Sequence, residues 1–367
     1  MANLRETKFK VSARGQIITQ CTYARPVEGT DRLETWTETV DRVCRHQTWL
    51  WERAQGCALS DIQQDEINDL REIMMNREAL TSGRTLWLGG TDISKRREAS
   101  QYNCAFTRIE SIADIVDGIW LLMQGCGVGF QPVTGTLSGF TKPIEKVTII
   151  RSERTLEQWE AGERGRQENK SEMLNTRSYY ISVGDSAEAW SKAIGKLLAI
   201  KEPLDHLVVD LSEIRAAGIR LKGYGWISSG DETLSIALNK IIQILNQKAG
   251  FLLNEIDIID LMNHLGTILS SRRSAEIAMV PFDSTMADEF ALMKREYWID
   301  NPQRAQSNNS LRFDRKPSRE ELRDTFQLMM DGGGCEPGFI NGVEARRRAP
   351  WFSGSNPLTK HSGCKIH

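Results

Sequence analysis

The feature that most constrains the fold of this chain is a change in the spacing of its apolar residues near residue 100. Before that point, apolar residues recur at helical spacing from Leu33 to Val43, behind Asp31, which predicts a helix capped by Asp31. A second apolar stripe predicts another helix over 61–79. We therefore expect a helical amino-terminal region that ends near the turn signal at 81–83.

After residue 100 the sequence alternates short apolar runs, glycine turns and helical stretches. The runs that read as strands lie at 128–133, 146–150, 179–183 and 207–211. Helices are expected at 113–124, 188–200, 233–248 and 255–270, and the Arg- and Glu-rich stretch 151–172 reads as an exposed loop. Alternation of this kind is typical of the α/β class, either layered or closed into a barrel.

Composition excludes several classes of function. The 367 residues are 40% hydrophobic and 26% charged with a net charge of −2, which suits a globular protein and not a nucleic-acid partner. The apolar run 112–123 is broken by Asp114 and Asp117 and is too short to cross a bilayer, and the start of the chain has no secretion signal. We expect a cytoplasmic protein with no membrane partner.

The seven cysteines include no CxxC pair and no Cys/His spacing typical of zinc. No metal site is therefore expected, and in a reducing compartment most of these cysteines are buried thiols and not disulfide partners. Cys104 is the exception to this interpretation, because it lies within the motif Tyr-Asn-Cys-Ala-Phe (102–106).

Three glycines alternate in the segment 125–130, Gly-Cys-Gly-Val-Gly-Phe. Without side chains, such a strand lets a nucleotide or sugar approach its backbone, although tight packing of a helix on a strand explains the pattern equally well. The adjacent Arg272 and Arg273 suit a loop that contacts phosphate, but they also suit a solvated surface. The polar stretch 306–310 reads as a turn. The stretch 332–341 combines glycine turns with a strand-like Phe-Ile and is also adequately explained as a loop.

Taken in order, these segments carry more information than any one of them. The ordered segments are TSGRTLWLGGT (81–91), YNCAF (102–106), GCGVGF (125–130), DLSEIR (210–215), SRRSAEIA (271–278), SNNS (307–310), CEPGFIN (335–341) and GSNP (354–357), with YARP (23–26) and ETW (34–36) before them. The series resembles the ribonucleotide reductases, in particular the monomeric, adenosylcobalamin-dependent class that acts on ribonucleoside triphosphates. The resemblance runs from about residue 20 to residue 357.

The resemblance implies a fold. It implies an N-terminal helical domain (1–100) followed by the first part of a ten-stranded α/β barrel (101–357), incomplete in this sequence. An insertion at about 135–205 would help to build the site for an effector nucleotide, and 358–367 would be a tail foreign to the family.

The resemblance also implies roles for individual residues. Cys104 matches one cysteine of the pair that reduces the substrate and becomes a disulfide. Thr85 and Asn103 match contacts to the phosphate and sugar of the substrate, and Gly127 and Gly129 would line the strand under the nucleoside.

Arg272 and Arg273 resemble the specificity loop, which couples effector binding to the choice of substrate base. The implied partners are a ribonucleotide substrate, a deoxynucleotide effector and an external dithiol such as a thioredoxin-like reductant, and the implied cofactor is adenosylcobalamin.

The sequence departs from the family at its radical site, which has the pattern Asn-x-Cys-x-Glu. Asn356 is present as a candidate catalytic residue, but Leu358 stands in place of the cysteine and Lys360 in place of the glutamate, and Cys364 has unsuitable neighbours. We expect an interrupted coding sequence, or a split enzyme completed by a second chain carrying the missing C-terminal half, and no turnover by the isolated chain.

Two other interpretations stay open. The chain could belong to a reductase whose radical comes from a separate metal-containing subunit. It could also be a nucleotide-binding regulatory fragment that retains an effector site without catalysis. Cobalamin binding and deoxynucleotide binding, respectively, would separate these from the first interpretation.

Overall fold

The computed structural model describes residues 11–221, 226–269, 276–334 and 336–355. The chain forms two compact units, Met1–Tyr102 and Asn103–His367.

The first unit is helical. Its helices are α1 (Ala13–Ile18), α2 (Trp36–Gln55), α3 (Asp61–Met75), α4 (Gly83–Leu88) and α5 (Asp92–Arg96), with short π- and 3₁₀-helical turns at Thr19–Tyr23 and Glu98–Gln101. The predicted cap at Asp31 is wrong, because Thr35 caps α2 in a reciprocal capping box with Glu38. Helix α2 ends at Gly56, whose φ of 73° is the left-handed conformation that glycine adopts most easily.

The core of the first unit lies between α2 and α3. Val40, Val43, Ile67, Met74 and Leu86 are among the residues that form it, at helical spacing on facing helices. The helical region continues through α4 and α5, past the turn at 81–83 where the sequence predicted its end.

The described residues of the second unit form nine strands. They are β1 (Cys104–Ile109), β2 (Gly127–Pro132), β3 (Lys146–Ile150), β4 (Lys170–Asn175), β5 (Ser178–Ser182), β6 (His206–Asp210), β7 (Glu276–Pro281), β8 (Ser307–Phe313) and β9 (Gly338–Asn341). Its helices are α6 (Ile112–Met123), α7 (Leu156–Glu160), α8 (Ala187–Leu198), α9 (Glu232–Gln247), α10 (Glu255–Gly266), α11 (Ala287–Leu292), α12 (Tyr297–Asp300), α13 (Arg319–Asp331) and α14 (Gly342–Arg348), with a 3₁₀ turn at Pro302–Ala305.

The strands form two separate sheets. The first has the order β1-β2-β7-β8-β9 and is parallel throughout. The second has the order β3-β6-β5-β4, with only β4 antiparallel. All strands of the second sheet lie between β2 and β7 in sequence, so this sheet is an insertion into the first.

Most of the predicted α/β elements occur within a residue or two of their expected bounds, but three expectations were wrong. The stretch 151–172 is not a simple loop, because it contains α7 and the start of β4. The polar segment 307–310 is the first half of strand β8, and the helix expected over 255–270 ends at Gly266. The strands β1, β7 and β8 had no periodicity strong enough to predict them from the sequence.

The two faces of the five-stranded sheet differ in what covers them. Helix α6 packs on β1 and β2, and α10 packs on β2 and β7. The side chains of Ala105, Val128 and Ala278 point to this helix-covered face and are fully buried. Cys104, Phe106, Gly127 and Gly129 alternate with them and belong to the opposite face, which we call the inner face.

Candidate functional site

The amino-terminal edge of the five-stranded sheet brings together three of the predicted site residues. Cys104 is the first residue of β1 and lies opposite Gly127, the first residue of β2. The Gly127 amide donates a 2.8 Å hydrogen bond to the carbonyl oxygen of Asn103. Asn103, Cys104 and Gly127 are therefore immediate neighbours at the end of two parallel strands.

Gly129 lies on the same inner face, one step further along β2, opposite Phe106. Because neither Gly127 nor Gly129 has a side chain, the inner face of β2 presents backbone in front of the partly buried thiol of Cys104. Both glycines are buried, so other parts of the protein pack close to the strand backbone here.

The last described residues return to this inner face. A Cβ atom added to Gly354 would overlap the ring of Phe106, so the chain passes in direct contact with a residue two positions from Cys104. Phe352, Gly354 and Ser355 are buried. Asn356, the predicted catalytic residue, lies outside the described residues, as do Leu358 and Lys360.

The other predicted residues are placed differently. Thr85 belongs to the first compact unit, on α4, where its hydroxyl lies 3.1 Å from that of Ser82. Arg272 and Arg273 lie outside the described residues, in the segment between α10 and β7.

A buried polar layer lies beneath the same strand edge, on the helix-covered face, and sequence reasoning missed it. It consists of Asn263, Glu276, Ser307 and Asn309, each at most 2% exposed. The Asn263 amide donates to Glu276 Oε2 at 2.8 Å, and the Ser307 hydroxyl lies 3.1 Å from Asn309 Oδ1. Burial raises the pKa of Glu276 to about 8. A glutamate at the start of an otherwise apolar strand was the available signal.

The inserted sheet carries charged residues at the carboxyl ends of its strands. Asp185 accepts from Arg215 Nε at 2.9 Å, and its side chain is 4% exposed. Glu213 accepts from Arg154 at 2.9 Å, and Trp159 lies 4.7 Å from the Arg215 guanidinium. These charges pair with one another, so they hold the 151–168 segment against the sheet.

A cavity of about 340 Å³ lies between the start of α6, the 136–138 segment and the end of α8. Its lining combines apolar side chains such as Leu137 and Leu198 with the ammonium group of Lys201 and the carboxylate of Glu110. Lys201 donates to the hydroxyl of Ser138 at 2.8 Å, and burial lowers its pKa. The cavity has the size and mixed polarity of a small-ligand site.

Among the described residues, no cluster of three or more His, Cys, Asp or Glu side chains could hold a metal ion. In the same part of the chain, no helix is long and apolar enough to cross a membrane.

Comparison with known proteins gives two matches to protein families. Residues 2–91 match the ribonucleotide reductase alpha domain, and residues 145–245 match the insertion domain of B12-dependent ribonucleotide reductase. The second match contains all four strands of the inserted sheet.

The relatives that match most of this chain are named adenosylcobalamin-dependent ribonucleoside-triphosphate reductases. The adenosylcobalamin-dependent ribonucleoside-triphosphate reductase of Lactobacillus gasseri is 29% identical over 89% of this chain and 48% of its own length. The enzyme of the same name from Lactobacillus leichmannii is 28% identical over 82% of this chain and 45% of its own length. The chain thus spans about half the length of the curated relatives it matches.

A solved structure described as a B12-dependent (class II) ribonucleotide reductase superimposes with a TM-score of 0.64 and 26% identity. The match covers 81% of this chain and 45% of that chain. The α/β fold expected from the sequence is confirmed, and the chain corresponds to part of that structure.

Proposed function

We propose that this chain, which belongs to the ribonucleotide reductases, forms the nucleotide-binding and thiol-bearing part of an enzyme that reduces ribonucleoside triphosphates to 2′-deoxyribonucleotides. The observation that carries the proposal is the inner face of the sheet. There Cys104 stands beside the glycine strand Gly127–Pro132, and the Gly354 segment contacts the same face.

In this proposal the nucleoside lies against the backbone of Gly127 and Gly129, with its ribose towards Cys104. Asn103 contacts the sugar, and Thr85 contacts the phosphates. Replacing the 2′-hydroxyl by hydrogen consumes two electrons and two protons and releases water. Two thiols supply them and become one disulfide, and Cys104 is one of the two.

An external dithiol, such as a thioredoxin-like protein, then reduces the disulfide by thiol–disulfide exchange. Asn356, Arg272 and Arg273 keep their proposed roles at the radical site and in the specificity loop. We place the protein in the cytoplasm, where such reductants are abundant.

The relatives are named for adenosylcobalamin, and we propose the same cofactor for the whole enzyme. When bound, it supplies the radical that starts the reaction. No group of described side chains on the inner face is suited to hold a corrin ring. These residues therefore have no proposed role towards the cofactor.

We further propose that the inserted sheet and the adjoining cavity serve an effector nucleotide. The cavity is partly lined by the insertion, through Leu198 and Lys201, and partly by the first turn of α6, which follows the strand that begins at Cys104. A ligand in this cavity would contact both the insertion and helix α6, which packs on strands β1 and β2. Since Glu110 lines the cavity beside the first turn of α6 and its negative charge would repel phosphates, the uncharged part of the effector is better suited to that end.

The test is equilibrium binding of ATP and CTP to purified 1–367, with Cys104→Ser as a companion variant. We expect saturable binding by both proteins, because the thiol reacts with the nucleotide but does not hold it. We also expect no deoxynucleotide from 1–367 with adenosylcobalamin and a dithiol, since Leu358 and Lys360 replace the radical cysteine and its glutamate. If neither protein binds ATP or CTP, the proposed nucleotide site is wrong. If 1–367 forms deoxynucleotides, the expectation that it lacks turnover is wrong.

The cavity also favours a second candidate, a regulatory nucleotide-binding fragment without catalysis. It predicts saturable dATP or dTTP binding that Lys201→Met weakens, with no ribonucleotide binding at all. The main proposal predicts that 1–367 binds both kinds of nucleotide.

A further inference from the structure

Glu276 occupies an unusual position for an acidic residue. It is the first residue of β7 and is 2% exposed. Its Oε2 accepts one hydrogen bond, from Asn263 on α10, and its Oε1 is buried with no hydrogen-bond partner among the described residues. A carboxylate has about four acceptor positions, so one donor leaves the ionised form largely unsatisfied.

Among the described residues of the elements packed around Glu276, each partly buried cation has an acidic partner. Helix α10, the 302–306 turn, helix α11 with the connection to α12, the described residues before β9 and strand β8 carry the charged or titratable groups. These are Glu255, Asp257, Asp260, His264, Arg304, Asp288, Glu289, Lys294, Arg295, Glu296, Glu336 and Arg312. Arg304 pairs with Asp260 at 2.6 Å, and Lys294 pairs with Glu336 at 2.8 Å. Strand β2, on the other side of β7, has no charged residue.

The other basic groups lie in solvent, pair with an acid or are uncharged. Arg295 is exposed. Arg312, at the far end of β8, pairs with Asp314 at 2.9 Å. Burial lowers the pKa of His264 to about 4, so this imidazole is uncharged near neutral pH. Arg272 and Arg273 precede Glu276 in sequence and lie outside the described residues.

The space around Glu276 fits a carboxyl group closely. A Cβ added to Gly266, at the end of α10, would lie 2.9 Å from Glu276 Oε1. Glycine at the helix end therefore leaves room for the buried carboxyl. An uncompensated charge in such a place costs several kcal/mol, whereas the protonated acid does not incur this cost.

We propose that Glu276 is a positioning residue that stays protonated at neutral pH and, as an uncharged carboxyl group, holds the first residues of β7 and β8 against α10. It thereby fixes the strand edge on which the nucleotide lies. This inference rests on the proposed function of that edge. Glu276 is paired with Val128, the neighbour of Gly127, on one side and with Ser307 on the other. Its side chain points away from the inner face, so it acts through these strands and does not touch the nucleotide.

The proposal predicts a pH dependence with a definite sign. Loss of the proton places a charge in the polar layer and pushes β7 away from α10, so nucleotide affinity falls as pH rises through the pKa of about 8. At pH 9 about one tenth of the protein keeps the proton, so the apparent affinity for ATP is expected to fall about tenfold from pH 7.

The experiment compares wild type, Glu276→Gln and Glu276→Leu in 1–367, by ATP binding from pH 6.5 to 9. Gln keeps an uncharged hydrogen-bonding group, so Glu276→Gln should bind within about twofold of wild type at pH 7 and lose little affinity by pH 9. Leu leaves the Asn263 amide without a partner, and binding should weaken at every pH. Glu255→Gln is the control. It changes a second buried acid, which lies on α10, and should keep the wild-type pH profile.

Two results would overturn the inference. If Glu276→Gln binds ATP as weakly as Glu276→Leu at pH 7, a charge is needed at this position. If Glu276→Gln loses affinity at pH 9 as wild type does, the proton on Glu276 is not the cause of the loss. A second measurement separates this from failure of the proposed function. If no protein binds ATP, urea unfolding between pH 5 and 9 still tests the proton. Wild type should lose stability across this range and Glu276→Gln should not; parallel profiles would refute the protonated state.

Discussion

Arg215 offers a stringent test of what stabilises the inserted sheet. Its Nε donates to both carboxylate oxygens of Asp185 at 2.9 Å, and its Nη2 donates to the Asp185 carbonyl at 3.2 Å. The two side chains are 17% and 4% exposed. Replacing Arg215 with Met keeps most of the volume and removes these side-chain bonds. The buried carboxylate keeps the 3.3 Å hydrogen bond from the Arg215 backbone amide but loses its ion pair.

The expected cost follows from that burial. Breaking a buried pair by removing one partner costs about 3–5 kcal/mol, because the remaining charge has lost its solvent and its partner. Arg154 also lowers the pKa of Asp185, so some compensation remains, and we expect about 3 kcal/mol. Loss of the contact with Trp159 at 4.7 Å adds about 0.5–1 kcal/mol.

The effect should depend on pH. Burial raises the pKa of Asp185, and the hydrogen bonds from Arg215 oppose this shift. Without Arg215 the pKa of Asp185 rises further. A group with a raised pKa in the folded state gives stability at low pH that is lost as pH rises. Arg215→Met should therefore be more damaging at pH 8 than at pH 5.

The assay is urea unfolding of wild type, Arg215→Met and the double variant Asp185→Asn/Arg215→Met at both pH values. The double variant should recover part of the loss, because no buried charge remains. Arg323→Met, which removes a pair with side chains 71% and 78% exposed, is the control and should change stability by less than about 0.5 kcal/mol. If Arg215→Met costs no more than this control, the pair is not a buried one and the reasoning fails.

Three further substitutions test other parts of the fold. Gly165→Ala should destabilise the insertion by several kcal/mol, because the new Cβ would overlap the backbone carbonyl of Glu213. Gly334→Ala is the control and should be nearly neutral, because the nearest atom to its Cβ is 3.9 Å away. Equal unfolding midpoints for the two variants would contradict this. His264→Gln should flatten the loss of stability as pH falls from about 6.5 to 4, because burial lowers the pKa of His264 to about 4 and only the unfolded chain gains a proton there; an unchanged acid limb in thermal melts would count against it. Thr35→Ala should cost about 1 kcal/mol by removing the cap of α2, and circular dichroism melts showing no loss would refute that role.

The sequence alone determined the local elements and the kind of protein. Local apolar patterns located α6, α8 and β3 closely, because each is defined by apolar residues near one another in the chain, whereas α3, expected over 61–79, ends at Met75. The ordered motifs pointed to the ribonucleotide reductases, and the family matches agree.

Local pattern was less informative where polar residues form strands. The segment 307–310 reads as a turn, but Ser307 and Asn309 lie buried in β8, where the Ser307 hydroxyl donates to Asn263 on α10 and to Asn309. Helix boundaries such as the cap of α2 were also misplaced, since Asp31 and Thr35 are both good capping residues and the side-chain geometry selects Thr35.

Only the tertiary structure decided which predicted residues are neighbours. Cys104 and Gly127 are far apart in the chain, and the pairing of β1 with β2 places them side by side on one face. The contact of Gly354 with Phe106 and the burial of Glu276 between α10 and two strands arise in the same way. Hydrophobic periodicity reports the face that a residue belongs to. Strand register and long-range packing determine what that face meets, and they depend on segments beyond the reach of a local sequence pattern.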